Sequence, residues 1–379
     1  MAVATGAIVA NLYYLQPLLP QIARDFSVGS TGAASLVTST QVGYGLGLGL
    51  VLPLGDLIAR RRLVVAIFIV AGVLMALGAS LHAFAAFAVI ALFTGVASVG
   101  GQVMIPFAAD LARDNQRGRV IARLMMGLLL GVLLCRSFAG IVTQFAGWRT
   151  VYWLAAILMG LMALLLARSL PEETARPHVS YRRLITGSVG LLASLPELRR
   201  RAWLGAGCFA AFSILWTTLA FKLSAAPYGY SSAVIGLFGL IGAAGVLAAN
   251  GAGRMADRGR QSASTMVAGA LTAGSFLLLA IGGHLIVPMI IGIIALDLGV
   301  QGMQITNQSI IYALAPDARS RINSAYMVCY FAGGALGSLI AGLAYSAGGW
   351  NASCAFGALI GFSVLFLSFR WRKPASTAL

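Results

Sequence analysis

The sequence predicts an all-α polytopic membrane protein, with twelve transmembrane helices forming two six-helix bundles related by a pseudo-two-fold axis along the membrane normal. Three observations predict it: the scarcity of charge, the placement of the basic residues and an internal repeat. Of the 379 residues, 59% are hydrophobic and 9% charged, whereas about 25% of an ordinary soluble protein is charged. With 10 acidic and 26 basic side chains the chain cannot cover a globule with polar surface. This argues against a soluble enzyme and against a nucleic-acid-binding domain, and the apolar content excludes disorder. The solvent that suits this composition is a lipid bilayer.

A spanning helix needs about 20 mainly apolar residues. In the first half such runs cover 2–23, 31–55, 63–81, 84–110, 120–145 and 149–168. In the second half they cover 202–224, 232–252, 262–283, 286–314, 322–347 and 351–370. Met1 already borders the first run, and no basic segment precedes it as a cleavable signal requires, so a short leader ahead of Met1 is expected. The one long polar stretch, 169–201, separates six runs from six and is read as the linker between bundles 1–168 and 202–379. Cys135, Cys208, Cys329 and Cys354 all sit inside apolar runs without CxxC spacing. They read as small buried hydrophobes, with no disulfide or metal site.

An even number of spans puts both termini on one side. All 26 basic residues except Arg24, Arg136, Arg149 and Lys222 cluster in alternate connections, in the linker or in the tail. That asymmetry assigns both termini and the linker to the cytoplasm, for a multi-pass protein of the bacterial inner membrane. The net charge of +16 is therefore a topology signal rather than a footprint for nucleic acid.

Sliding one half over the other at an offset of 202 aligns Gly131 with Gly333, Gly140 with Gly342, and Gly147-Trp148 with Gly349-Trp350. The same offset aligns Arg117 with Arg319, Arg119 with Arg321 and Gln102 with Gln304, while Asp56 and Asp257 lie 201 apart. Repeats with an even number of helices share one orientation, pack about an axis along the membrane normal and build a site at their interface.

The connection after the second run reads Gly55-Asp56-Leu57-Ile58-Ala59-Arg60-Arg61-Arg62, and the one after the eighth reads Gly253-Arg254-Met255-Ala256-Asp257-Arg258-Gly259-Arg260. Both resemble the signature loop of the major facilitator superfamily, in its two expected places. Asn11-Leu12-Tyr13-Tyr14-Leu15-Gln16-Pro17 and the later Asp297-Leu298-Gly299-Val300-Gln301 with Asn307-Gln308 resemble that superfamily's bacterial efflux members of the acriflavine-sensitivity type. A carboxylate at a helix end can bind Arg side chains and the N–H groups of a neighbouring helix start. Asp56 with Arg60, Arg61 and Arg62, and Asp257 with Arg258 and Arg260, are thus candidate conformational latches; the alternative is ordinary loop charge.

Charge inside a span is costly. Among the acids only Asp297 falls well inside a run, and among the bases only Arg136. Their offset partners are Gly95 and Ser338, so neither belongs to the duplicated scaffold. At 1.5 Å per residue both lie about 14–17 Å below the outer edge and could pair or face one cavity. They are the candidate proton-coupling residues, the alternative being a fixed structural ion pair. Asn11, Tyr13, Tyr14 and Gln16 in the first run, Gln102 in the fourth, and Gln301, Gln304, Asn307 and Gln308 in the tenth are polar groups that need partners away from lipid. The resemblance implies that the first, fourth, seventh and tenth helices line a central cavity, which makes these residues candidate substrate contacts; the alternative is interhelical hydrogen bonding without substrate contact. The seventh run adds Phe209, Phe212, Trp216 and Phe221, with Trp216 the substrate candidate and plain packing or lipid contact the alternative. Antiporters of the superfamily usually carry Gly-Pro where Cys135-Arg136 stands here, which makes Arg136 a candidate gate as well.

The expectation is a secondary transporter, not an enzyme, without cofactor or metal. It would be a monomer that exports a small amphipathic solute against entering protons by alternating access. The alternatives are movement of a polar metabolite such as a sugar or amino acid, or a transport-inactive receptor or scaffold.

Overall fold

The structure, a computed structural model, describes residues 1–113, 116–172, 181–242, 255, 260–314 and 318–371, with the side chains of 182–184 excluded. All regular elements among them are helical. In chain order they are α1 (Ala2–Ala10), α2 (Leu15–Asp25), α3 (Ser30–Leu50), a 3-10 turn (Leu52–Asp56), α4 (Arg60–Ser80), α5 (Phe84–Ala97), α6 (Gly100–Leu111) and α7 (Arg117–Ala146). They continue with α8 (Trp148–Ser169), α9 (Tyr181–Ser194), α10 (Pro196–Ser224), α11 (Ser232–Ile241), α12 (Gln261–Ile281), α13 (Ile286–Leu314) and α14 (Arg319–Arg370).

Ten helices among the described residues are long and apolar enough to cross a membrane, when α1 with α2, α3 with its 3-10 turn, and α5 with α6 each count as one. The last of the ten, α14, has 52 residues and turns at Gly348 (φ −149°, ψ 20°) and Gly349 (φ 62°, ψ −147°). Straight, it would be about 78 Å long, against a hydrocarbon core of about 30 Å. α11 has 10 residues, and the run predicted to extend to 252 continues outside the described residues.

The predicted run 31–55 ends in the 3-10 turn, and two others are interrupted near their middle. The run 2–23 is broken at Asn11–Tyr14, where Leu12 N bonds Val9 O and Tyr13 N bonds Ala10 O in tightened i→i−3 turns. The cause is downstream: Pro17 has no N–H for the Tyr13 carbonyl and its ring crowds it, and Pro20 does the same to Gln16. The run 84–110 breaks at Ser98–Val99, flanked by Gly95, Gly100 and Gly101, residues that weaken helix continuity. At the other extreme, α10 starts at Pro196, six residues before the predicted 202. Proline suits the first helical position because its missing N–H is not needed there, and Glu197 occupies the first turn. The polar linker also contains a helix of its own, α9.

The chain forms two compact units, Met1–Gly187 with Leu223–Leu240, and Ser188–Lys222 with Ile241–Leu379. In the first, α1 packs on α7, α3 on α5 and α4 on α8. A Cβ at Gly131 would fall inside the backbone of Gly6, and one at Gly43 inside that of Leu92. Glycine lets these helix axes approach closely where lipid supplies no hydrophobic drive. The second unit repeats the device: Gly333 lies against the backbone of Ala206 and Gly337 against that of Ala210. The duplicated Gly-Trp pairs turn in a similar way. Gly147 (φ 78°, ψ 161°) and Gly349 (φ 62°, ψ −147°) both combine a positive φ with an extended ψ, a region essentially restricted to glycine. The tryptophans that follow are both buried, Trp148 Nε1 donating to Asp25 Oδ2 at 2.7 Å and Trp350 Nε1 to the Leu279 carbonyl at 2.8 Å. Large apolar side chains such as Phe145, Ile157 and Phe369 remain exposed on the helix surfaces, as a lipid-facing surface requires.

Candidate functional site

Each unit holds its own polar cluster. In the first, Tyr13 lies in the break between α1 and α2, and Gln16 follows in α2. Gln16 and Arg136 are 2% and 4% exposed, and Arg136 Nε donates to Gln16 Oε1 at 2.8 Å. The Arg136 guanidinium also lies 5.0 Å from the centre of the half-buried Tyr13 ring, within range of a cation–π contact. Half-buried Gln102 shares a side-chain hydrogen bond with Tyr44 of α3, which is fully buried. Tyr13, Gln16, Gln102 and Arg136 thus belong to one region of the unit, with Tyr44 supporting it.

Two expected members turn elsewhere. Asn11 faces α8, its Nδ2 at 3.6 Å from Met159 Sδ. The Tyr14 ring packs against Phe138 at 6.3 Å. Beside Arg136, α11 lies close on α7: Ser137 Oγ donates to the Gly236 carbonyl at 3.1 Å, and a Cβ at Gly239 would meet the Arg136 stem at 2.7 Å.

In the second unit the cluster lies on α13. Asp297 is 4% exposed and receives the indole N–H of Trp216 at 3.4 Å. Gln301, Gln304 and Gln308 follow at spacings of four, three and four, so all four side chains share one helix face; the three glutamines are half-buried. Gln304 Nε2 reaches Met327 Sδ at 3.8 Å. Asn307 points away from that face and is fully buried, donating to the Arg201 carbonyl at 3.2 Å and to Tyr326 Oη at 3.3 Å. It ties α10, α13 and α14 together.

The aromatic residues of α10 pack mainly on protein. Phe209 stacks on Tyr330 at 4.2 Å and meets Phe331 edge-on at 5.0 Å; Phe209 and Trp216 are buried, Phe212 and Phe221 half-buried, and Trp203 near the start of the helix is exposed. Phe221 packs on Tyr345 at 5.5 Å.

The first latch is built around Arg60, which is 6% exposed. Its guanidinium donates to Asp110 at 2.7 Å, to the Gly55 carbonyl at 3.1 Å and to Asp56 at 3.5 Å. Arg61 reaches Glu172 at 3.0 Å and the Ala167 carbonyl at 2.6 Å, and Arg62 is exposed. Sequence reasoning missed Asp110, the strongest partner, because it lies at the far end of another span. It also missed Tyr44, although Thr40 and Gln41 mark that stretch of α3 as unusually polar. Asp257 and Arg258 of the second latch lie outside the described residues; Arg260 is exposed and precedes α12.

An all-helical membrane protein with polar clusters held at mid-span in two helical units defines the class: a membrane transporter rather than an enzyme. The chain belongs to the Major Facilitator Superfamily, whose family model matches residues 1–314 and 252–378. It is 46% identical over 370 residues to the uncharacterized transporter YgaY of Escherichia coli O157:H7, covering 98% of this chain and 94% of that one. It is 34% identical over 356 residues to the probable transporter SCO4007 of Streptomyces coelicolor, covering 94% and 83%. Its fold is similar to the crystal structure of the nucleoside transporter NupG, with a TM-score of 0.78, 12% identity and coverage of 98% and 100%.

Proposed function

We propose that this chain is a twelve-span secondary transporter of the bacterial inner membrane that exports a small amphipathic solute by alternating access, driven by entering protons. Both termini and the 169–201 linker then lie in the cytoplasm, and the protein acts as a monomer. The observation that carries the coupling is Asp297, a buried acid in the middle of α13, with an indole N–H as its neighbour. A mid-span carboxylate costs several kcal/mol when charged, so it takes up a proton from one side and releases it when its surroundings change. Arg136 on α7 is the second coupling residue and the gate. Tyr13, Gln16, Gln102, Gln301, Gln304 and Gln308 contact the solute, with Asn11, Tyr14, Trp216 and Asn307 supporting them. The Asp56–Arg60 latch, together with Arg61 and Arg62 and the second set of Asp257, Arg258 and Arg260, holds one conformation.

A second reading, movement of a polar metabolite, is favoured by one observation: the half-buried face of α13 is made of amides, which suit hydroxyl recognition. The deciding experiment is pH-gradient-driven uptake into everted vesicles with a panel of lipophilic dyes and sugars. Asp297→Asn is expected to abolish gradient-driven accumulation and leave counterflow intact; full retention of accumulation overturns the coupling role. Accumulation of sugars but not dyes selects the second reading.

A further inference from the structure

We propose that the first unit holds a subsite for an acceptor-rich head group of the solute, a carboxylate or similar anion, formed by the side chains of Gln16 and Arg136. The inference rests on the transport reading above and names the chemistry of the solute it requires. Arg136 Nε can only donate a hydrogen bond, so the Gln16 atom at 2.8 Å from it is the amide oxygen. That fixes the orientation of an amide that is otherwise ambiguous and leaves its NH2 group turned away from Nε. This NH2 is buried and has no hydrogen-bond partner, on a residue that is 2% exposed.

Tyr13 offers the guanidinium the face of its ring. The cluster therefore combines a buried N–H donor with a permanent positive charge. Tyr13 is half-buried, and Gln16 and Arg136 are buried. A group that accepts hydrogen bonds and carries negative charge satisfies both features. A neutral hydroxyl satisfies only the donor, and a cation is repelled.

The test is equilibrium binding to the purified full chain by titration calorimetry at pH 7.5, without any gradient. The probes are three pairs matched in shape: benzoate and benzamide, 1-naphthoate and 1-naphthamide, indole-3-acetate and indole-3-acetamide. At least one carboxylate is expected to bind tenfold or more tightly than its amide. Gln16→Glu, which sets an internal carboxylate beside Arg136, is expected to erase the preference, and Gln16→Leu to weaken carboxylate binding three- to tenfold with the amide unchanged. Equal affinities in all three pairs, no carboxylate binding at millimolar concentration, or a preference that survives Gln16→Glu overturns the proposal. If a variant does not fold, the wild-type pairs alone decide. A carboxylate preference that persists where Asp297→Asn leaves gradient-driven transport unchanged removes the proton-coupling reading and leaves this subsite standing.

Discussion

Arg60 shows how much one side chain can organise when its charge is withdrawn from water. Its three oxygen partners come from the 3-10 turn and from the end of α6, while the partner carboxylates of Asp56 and Asp110 are themselves about half exposed. Arg60→Ala is expected to destabilise the protein by about 1.5–3 kcal/mol, the range for hydrogen bonds to charged groups, read as a lower unfolding midpoint in detergent. Arg60→Lys is expected to recover only part of it, because an ammonium cannot reproduce the planar fork that meets three acceptors. At this scale the sequence was informative about which residues are unusual and poor at saying whom they meet. Asp297 and Arg136 stood out because charge inside an apolar run is rare. Tyr44, Asp110 and the Trp216–Asp297 contact depend on helices far apart in the chain, and no local pattern reports them. Among the α10 aromatics, packing was the alternative to a lining role, and Phe209 is taken up by Tyr330 and Phe331.

At the scale of the element, glycine and proline decide where helices approach and where they stop. Gly43→Ala would drive a methyl into the Leu92 carbonyl region and is expected to cost about 1–3 kcal/mol or more as overpacking. Gly160→Ala, with nothing within 4 Å of the new methyl, is expected to leave stability unchanged or raise it by up to about 1 kcal/mol. Thermal unfolding of both variants side by side checks the contrast. Pro17→Ala restores a donor for the Tyr13 carbonyl. The expected outcome is an unfolding midpoint equal to or above wild type with a several-fold slower transport rate; unchanged transport would show that the break is dispensable. Apolar length made the extent of single helices legible: 286–314 coincides with α13. The breaks in the first and fourth spans were not read, because their effect is felt several residues from the proline or among glycines that a hydropathy count treats as neutral.

At the scale of the whole molecule, the offset of 202 is more than a sequence coincidence, since Gly147 and Gly349 both take a positive φ with extended ψ and each precedes a buried tryptophan. Gly147→Ala and Gly349→Ala are therefore expected to cost similar amounts, about 1–3 kcal/mol each, and unequal effects would indicate that the two corners have diverged. The charge asymmetry predicts sidedness: a single cysteine at Arg62 is expected to be labelled by a membrane-impermeant maleimide in everted vesicles only, and one at Gly147 in intact cells only. The two ends of the first unit are secured differently. At one end Arg60 and Arg61 gather α4, α6 and α8. At the other, Arg149 binds Asp25 at 2.6 Å and the Leu81 carbonyl at 3.3 Å and lies 4.3 Å from the Trp148 ring.

The short irregular turn at Asn11–Tyr14 then acquires a mechanical meaning. The stretch before it is clamped to α7 through Gly6, Gly127 and Gly131, while the stretch after it carries Gln16 and ends on the Asp25 anchor. The break falls between two fixed stretches, and a bend of this span is expected to centre on it. Such a bend would move the Tyr13 ring and the Gln16 amide, both of which contact Arg136.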